Sequence, residues 1–283
     1  MSDREPRTLR LPGSGGLTLA ADEWGDPAAP TVLLLHGGGQ TRHSWKTAGA
    51  HLAAHGLHAV ALDSRGHGDS DWAPTRDQYR LEDLCADVLA VLPGLSPPVT
   101  LVGASMGGLV SLRLAATHPE LVARLILVDI VVRMEPEGID RIREFMRSAP
   151  DGFATLEDAA DAVAAYLPHR PRPHSVEGLR KNLRLREGRW HWHWDPTMFA
   201  GGPPDAIPFV SELDGLARQV QAPTLLLRGA KSDIVSDEGV EHFTGLIPHV
   251  SVASLDDAAH TAAADDNDAF TAAVVGFITA ERP

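Results

Sequence analysis

Short, unbroken apolar runs alternate along most of the chain with longer segments whose apolar positions recur at helical spacing. Leu17 to Trp24 reads as a leading strand, and Val32 to Leu35 and Ala59 to Leu62 read as strands buried on both faces, with a helix from about His43 to His55 between them. Leu81 to Leu92 is the next helix, stopped by Pro93-Gly94, and a strand from Val99 and a very apolar strand from Leu125 to Ile130 follow. Continuous apolar strands alternating with helices predict a mostly parallel sheet with helices on both faces, an α/β fold.

The alternation stops at Arg133. From there to Pro208 the pattern is helical or irregular and rich in Pro, Arg and Trp, until Thr224 to Arg228 restores the buried-strand signal. A helix over 237–246, a strand over 249–253 and a final helix over 267–279 complete the order. An interruption directly after a strand end falls where ligands sit in open α/β sheets, so residues 133–208 read as a mainly helical lid inserted into a core domain of residues 1–132 and 209–283. Within it, Thr155 with Asp158 forms a capping-box pattern for a helix to Leu167, and Ser211 with Asp214 repeats that pattern before the return to the sheet.

Chemistry concentrates at Gly103-Ala104-Ser105-Met106-Gly107, which stands between the Val99 strand and a helical pattern from Leu109. Such a turn forces the central residue into a strained conformation and brings its flanks so close that only glycine fits, so Ser105 is presented as a nucleophile. A serine hydroxyl needs a base, and the base needs an acid that fixes its tautomer. In the expected order Ser, acid, His, the candidates are Asp233, just past the Thr224 strand, and His260, between the last strand and the last helix. Glycines in His36-Gly37-Gly38-Gly39 let backbone N–H groups approach a substrate carbonyl, so Gly38 or its neighbour Gly37 supplies one oxyanion donor and Met106 the other, with Gly39 or Gln40 as a shift in register.

Asp129, at the end of the Leu125 strand, competes with Asp233 for the acid role and alternatively caps or salt-bridges at the lid entrance. In Trp190-His191-Trp192-His193-Trp194 strict alternation puts three indoles on one face and two imidazoles on the other. Trp190, Trp192 and Trp194 therefore either wall a substrate pocket or anchor the lid, and His191 and His193 are a metal option without a completing ligand set nearby. The arginine-rich stretch 169–189 reads as a solvated lid face pairing with the acidic body, and His36 and His67 as hydrogen-bonding groups, not bases.

The composition narrows the partners. A net charge of −13 over 283 residues opposes nucleic acid and anionic membranes. A single cysteine, Cys85, excludes an intrachain disulfide, and no segment has the length of a membrane span or the h-region of a secretion signal, so the expected location is the cytoplasm. Oligomeric state is left open.

The motifs His36-Gly37-Gly38, Asp63-Ser-Arg-Gly-His-Gly-Asp-Ser70, Gly103 to Gly108, Ser232-Asp233 and the late His260 resemble, in their order, the α/β-hydrolase superfamily. Within it the chain looks like the lidded bacterial esterases and the cofactor-free haloperoxidase or perhydrolase-type enzymes. Its ending from Ala259-His260 to Phe270 is similar to theirs, with Ala259 where glycine is usual. Serine at 105, where epoxide hydrolases and haloalkane dehalogenases of this fold carry aspartate, disfavours those activities. The resemblance implies a mostly parallel sheet of eight strands and hydrolysis of a small-molecule carboxylic ester, lactone or thioester through an acyl-enzyme, with no cofactor or metal required. C–C bond hydrolysis and perhydrolysis by the same residues, and a non-enzymatic ligand receptor, are the alternatives.

Overall fold

The structure is a computed structural model, and it describes residues 5–167, 176–199, 210–255 and 267–280. Eight strands form one twisted sheet: β1 (Arg7–Pro12), β2 (Thr18–Trp24), β3 (Thr31–Leu35), β4 (His58–Leu62), β5 (Val99–Ala104), β6 (Val122–Val128), β9 (Thr224–Gly229) and β10 (Val250–Leu255). Their spatial order is β1-β2-β4-β3-β5-β6-β9-β10. The β1–β2 and β2–β4 pairs are antiparallel, and the rest of the sheet is parallel.

The inner parallel strands are largely apolar because both faces are covered, whereas β10, at the sheet edge, is exposed at Ser251, Val252 and Ser254. On β3, Leu33 and Leu35 face one core and Val32 and Leu34 the other, all at most 2% exposed. Full burial of each such side chain contributes roughly 1.5–3 kcal/mol. The first face carries α2 (Leu81–Val91), α3 (Met106–Thr117), α6 (Val210–Ala217) and α7 (Asp237–Leu246); the second carries α1 (Lys46–Ala54) and α8 (Asn267–Thr279). From β3 the chain moves outward to β4 and then returns to place β5 on the other side of β3. That reversal opens a crevice at the carboxyl ends of β3 and β5, where α/β sheets bind ligands.

Between β6 and α6 the described chain holds α4 (Pro136–Met146), α5 (Leu156–Tyr166) and an antiparallel hairpin of β7 (Leu183–Arg186) and β8 (Arg189–Trp192). This insert has its own apolar cluster, built on Met146, Phe153, Leu156, Leu183, Trp192 and Trp194. The expected capping box starts α5: Thr155 Oγ1 accepts from the Asp158 N–H at 3.1 Å, and the Asp158 carboxylate accepts from the Thr155 N–H at 3.0 Å. α6 begins at Val210, one residue before Ser211, so Ser211 is not its N-cap. No helix of the described residues is long and apolar enough to cross a membrane.

Candidate active site

Ser105 sits between β5 and α3 with φ 46° and ψ −113°, a conformation that side-chain-bearing residues rarely adopt. The glycines around it have steric causes. A Cβ on Gly103 would lie 2.2 Å from the Gly107 carbonyl oxygen, one on Gly107 2.3 Å from the Leu35 carbonyl oxygen, and one on Gly108 2.4 Å from Ile130 Cγ2. The turn is therefore pressed against both neighbouring strands, and α3 points its positive end at the crevice.

The loop after β3 commits its backbone donors almost completely. Gly37 N–H donates to Gln40 Oε1 at 3.1 Å, Gly39 N–H to His67 Nε2 at 3.1 Å, and Gln40 N–H to the Gly37 carbonyl at 3.1 Å. Gly38 N–H makes no hydrogen bond among the described residues, and neither does Met106 N–H at the first position of α3. Gly38, Ser105 and Met106 line one cavity. Of the donors expected from sequence, Gly38 and Met106 are thus open, while Gly37 is occupied.

Three buried imidazoles hold this loop. His36 Nδ1–H donates to the Gly37 carbonyl at 2.8 Å while its Nε2 accepts from the Ser64 N–H at 3.0 Å. His67 Nδ1 meets the Arg65 carbonyl at 3.2 Å, which leaves Nε2 as the acceptor for Gly39. His193, from the insert, accepts from the Gly68 N–H at 2.8 Å through Nδ1 and donates to the Gly39 carbonyl at 3.2 Å through Nε2. The rings follow one another at 5.0 Å and 5.8 Å between centroids. Burial pushes all three pKa values below 6.5, that of His67 to about 3, so the rings are neutral. The loop carrying His67 is fixed in turn by buried charge: Arg42 pairs with Asp22, Asp63 and Asp69, and Arg65 pairs with Asp87.

The two candidate acids differ in environment. Asp129 follows β6 as Ser105 follows the adjacent β5, the preceding residues Val128 and Ala104 being register partners. It is fully buried with φ 49°, and its carboxylate accepts from the Gly229 N–H at 3.0 Å and from Ser232 Oγ at 2.6 Å. Asp233 lies in the loop after β9, 34% exposed, with its carboxylate 2.8 Å from the Arg141 guanidinium of α4. His260 lies outside the described residues.

The cavity beside Ser105 measures about 150 Å³ and is walled by Leu84, Leu109, Ile130, Ile142, Met198 and Ile234, with the Tyr166 side chain also in its lining. Burial raises the Tyr166 hydroxyl to about 12, so it stays protonated. None of the three expected tryptophans lines it. Trp192 and Trp194 stack at 4.9 Å inside the insert's own core, and Trp190 lies under the Arg180 guanidinium at 5.0 Å. Trp192 and Trp194 also line a second cavity, of about 440 Å³, together with Met146, His191 and Phe199. Both ring nitrogens of His193 are committed to backbone, and among the described residues no group of three or more His, Cys, Asp or Glu could hold a metal ion. Arg184, from the basic stretch, reaches the Gly68 carbonyl at 2.8 Å and Asp69 at 2.7 Å, in line with pairing to the acidic body. Sequence reading missed Gln40 as the partner of Gly37, and the tie between His193 and Gly39, which no local signal announces.

A model of the α/β-hydrolase fold matches residues 30–266. The chain belongs to the α/β-hydrolase family. This hydrolase is 34% identical over 236 residues to Esterase Rv0045c of Mycobacterium tuberculosis, a match covering 78% of this chain and 72% of the relative. The crystal structure of that esterase superposes with a TM-score of 0.75 at 29% identity, over 97% of this chain and 92% of the other. The 3-hydroxybutyrate-oligomer hydrolase of Cupriavidus necator is 28% identical over 255 residues, 86% of each chain. An E-2-(acetamidomethylene)succinate hydrolase shares the hydrolase fold with a TM-score of 0.84 at 23% identity, covering 97% of this chain and 100% of that one.

Proposed function

We propose that this hydrolase cleaves small-molecule carboxylic esters, with lactones and thioesters in the same reactivity class, through an acyl-enzyme on Ser105. The observation that carries the reading is the pair of backbone N–H groups, Gly38 and Met106, that have no partner among the described residues and line one cavity with the strained Ser105. Donors held in place before charge develops stabilise the tetrahedral oxyanion without reorganising. In this scheme Ser105 Oγ attacks the carbonyl carbon while His260 takes its proton. The intermediate collapses, the alcohol leaves with that proton, and water activated by His260 releases the acid. The relatives named as an esterase and as a 3-hydroxybutyrate-oligomer hydrolase support ester chemistry. The apolar wall fits a hydrocarbon acyl group, and Ile142, Tyr166 and Met198 in that wall support the reading of residues 133–208 as a lid.

Chain order points to Asp233 as the carboxylate that holds His260, and environment favours Asp129. We favour Asp129, because a triad acid works from a buried, hydrogen-bonded position. Asp129 has such a position beside Ser105, whereas the Asp233 carboxylate is partly exposed and paired with Arg141. The reading is tested with p-nitrophenyl acetate and a fluorophosphonate probe. Wild-type protein hydrolyses the ester and is labelled on the peptide containing Ser105, and Ser105→Ala loses both while keeping its circular dichroism. Hydrolysis by Ser105→Ala near the wild-type rate would overturn the assignment.

A further inference from the structure

We propose that His193 of the insert is a positioning residue for the oxyanion loop: its Nε2–H holds the Gly39 carbonyl and so sets the direction in which Gly38 presents its N–H. The proposal rests on the reading of Gly38 as an oxyanion donor. Three consecutive glycines have the greatest backbone freedom of any tripeptide, and fixing each residue costs roughly 1–2 kcal/mol of conformational entropy. A loop of this composition keeps one geometry only when outside groups impose it. The peptide preceding Gly38 is held through its carbonyl by His36, and the peptide following Gly38 through the Gly39 N–H by His67. The next peptide, that of the Gly39 carbonyl, is held from the insert by His193.

His193 suits this task in three ways. It is 1% exposed, so no water competes for its bonds. The Gly68 N–H, donated to Nδ1 at 2.8 Å, fixes the tautomer with the proton on Nε2, the form that can donate to Gly39. Gly39 is also hemmed in by the insert. It adopts φ +74°, and a Cβ there would lie 2.5 Å from Met146 Sδ and 3.4 Å from Trp194 Cζ3. A residue 154 positions away in sequence thus completes a loop that the sheet domain alone holds from one side.

The two bonds of His193 can be removed one at a time. His193→Asn keeps an acceptor at the Nδ1 position for Gly68 and places nothing at the Nε2 position, whereas His193→Gln keeps a donor near Nε2 and loses the Gly68 contact. With p-nitrophenyl acetate, His193→Asn is expected to lower kcat about tenfold or more with KM within about twofold, since loss of one oxyanion donor costs 10²–10³ and misdirection costs part of that. Affinity for an arylboronic acid, which forms a tetrahedral adduct on serine, should fall in parallel. His193→Gln should keep kcat within about threefold of wild type even where its melting temperature drops as far. Arg184→Gln, which removes a different anchor of the same hairpin, should lower the melting temperature and leave kcat unchanged. Equal losses of kcat in the Asn, Gln and Arg184 variants would make His193 a mere anchor and overturn the proposal, as would unchanged kcat in His193→Asn. Should the His193 variants fail to fold, ¹⁵N chemical shifts of the wild-type imidazole decide: the Nε2–H tautomer supports the proposal and the Nδ1–H tautomer overturns it. Failure of the underlying esterase reading looks different, as wild-type protein without turnover or fluorophosphonate labelling.

Discussion

Mild acid should destabilise this hydrolase well above the range in which its carboxylates titrate. His36, His67 and His193 are 0%, 0% and 1% exposed, and each accepts a backbone N–H that an imidazolium could not accept. Their folded-state pKa values lie below the 6.5 of a free imidazole, so below that pH the unfolded chain binds protons that the native chain refuses. The stabilisation is complete above about 6.5 and is lost as the pH falls from there toward the value of about 3 held by His67. For His67 alone the loss between pH 7.5 and pH 5 is about 2 kcal/mol, and His36 and His193 add losses of the same sign. Asp22, lowered from 3.8 to about 2, contributes only in a separate window between those two values. Against a total stability of about 5–15 kcal/mol the histidine share is large, and it moves the urea midpoint by on the order of 1 M. The assay is urea unfolding followed by circular dichroism at pH 7.5, 6.5, 5.5 and 5.0, on wild type and on His67→Gln. The glutamine oxygen can accept the Gly39 N–H without titrating, so the variant's midpoint should fall less steeply with pH. A midpoint constant from pH 7.5 to 5.0, or the same slope in both proteins, would refute the argument.

Two further outcomes follow from the site. Asp129→Asn should lower kcat by about three to four orders of magnitude and Asp233→Asn far less, since loss of the carboxylate that orients a triad histidine costs about ten thousand-fold; the reverse ranking in steady-state assays makes Asp233 the acid. Trp192→Ala should cost roughly 3–5 kcal/mol of stability through the insert's core and leave the ratio of long-chain to acetyl ester rates unchanged, whereas a shifted ratio would return the indoles to the substrate pocket.

The parallel sheet was legible because its inner strands are apolar on both faces, and the helices over 237–246 and 267–279 fall within the expected bounds. β1 was missed: it is an edge strand, exposed or half-buried along its length, and it ends in Pro12. The β7–β8 hairpin was missed too, although its turn residues, Glu187 at φ 49° and Gly188 at φ 78°, stand between two alternating runs in a recognisable hairpin pattern. The turn at Ser105 is set by short-range sterics, since a Cβ on Gly103 or Gly107 would meet backbone, and it could be read locally. The acid could not, because Asp129 and Asp233 both follow strands and only tertiary environment separates them. His193 was out of reach for the same reason, since its partners are 125 and 154 residues away.

The hairpin's fastening bears on how such an enzyme can change over evolution. Arg184 grips the Gly68 carbonyl, Asp195 N–H the Gly66 carbonyl at 2.8 Å and its carboxylate the Tyr79 hydroxyl at 2.6 Å, while His193 reaches past them to the loop after β3. An insert joined in this way is not an exchangeable cap. A chimera that grafts a foreign segment between β6 and α6 would keep the serine turn intact and inherit a slack glycine loop. Substrate range in this lineage should therefore drift through substitutions along α4 and α5, which face the cavity, while the hairpin stays fixed.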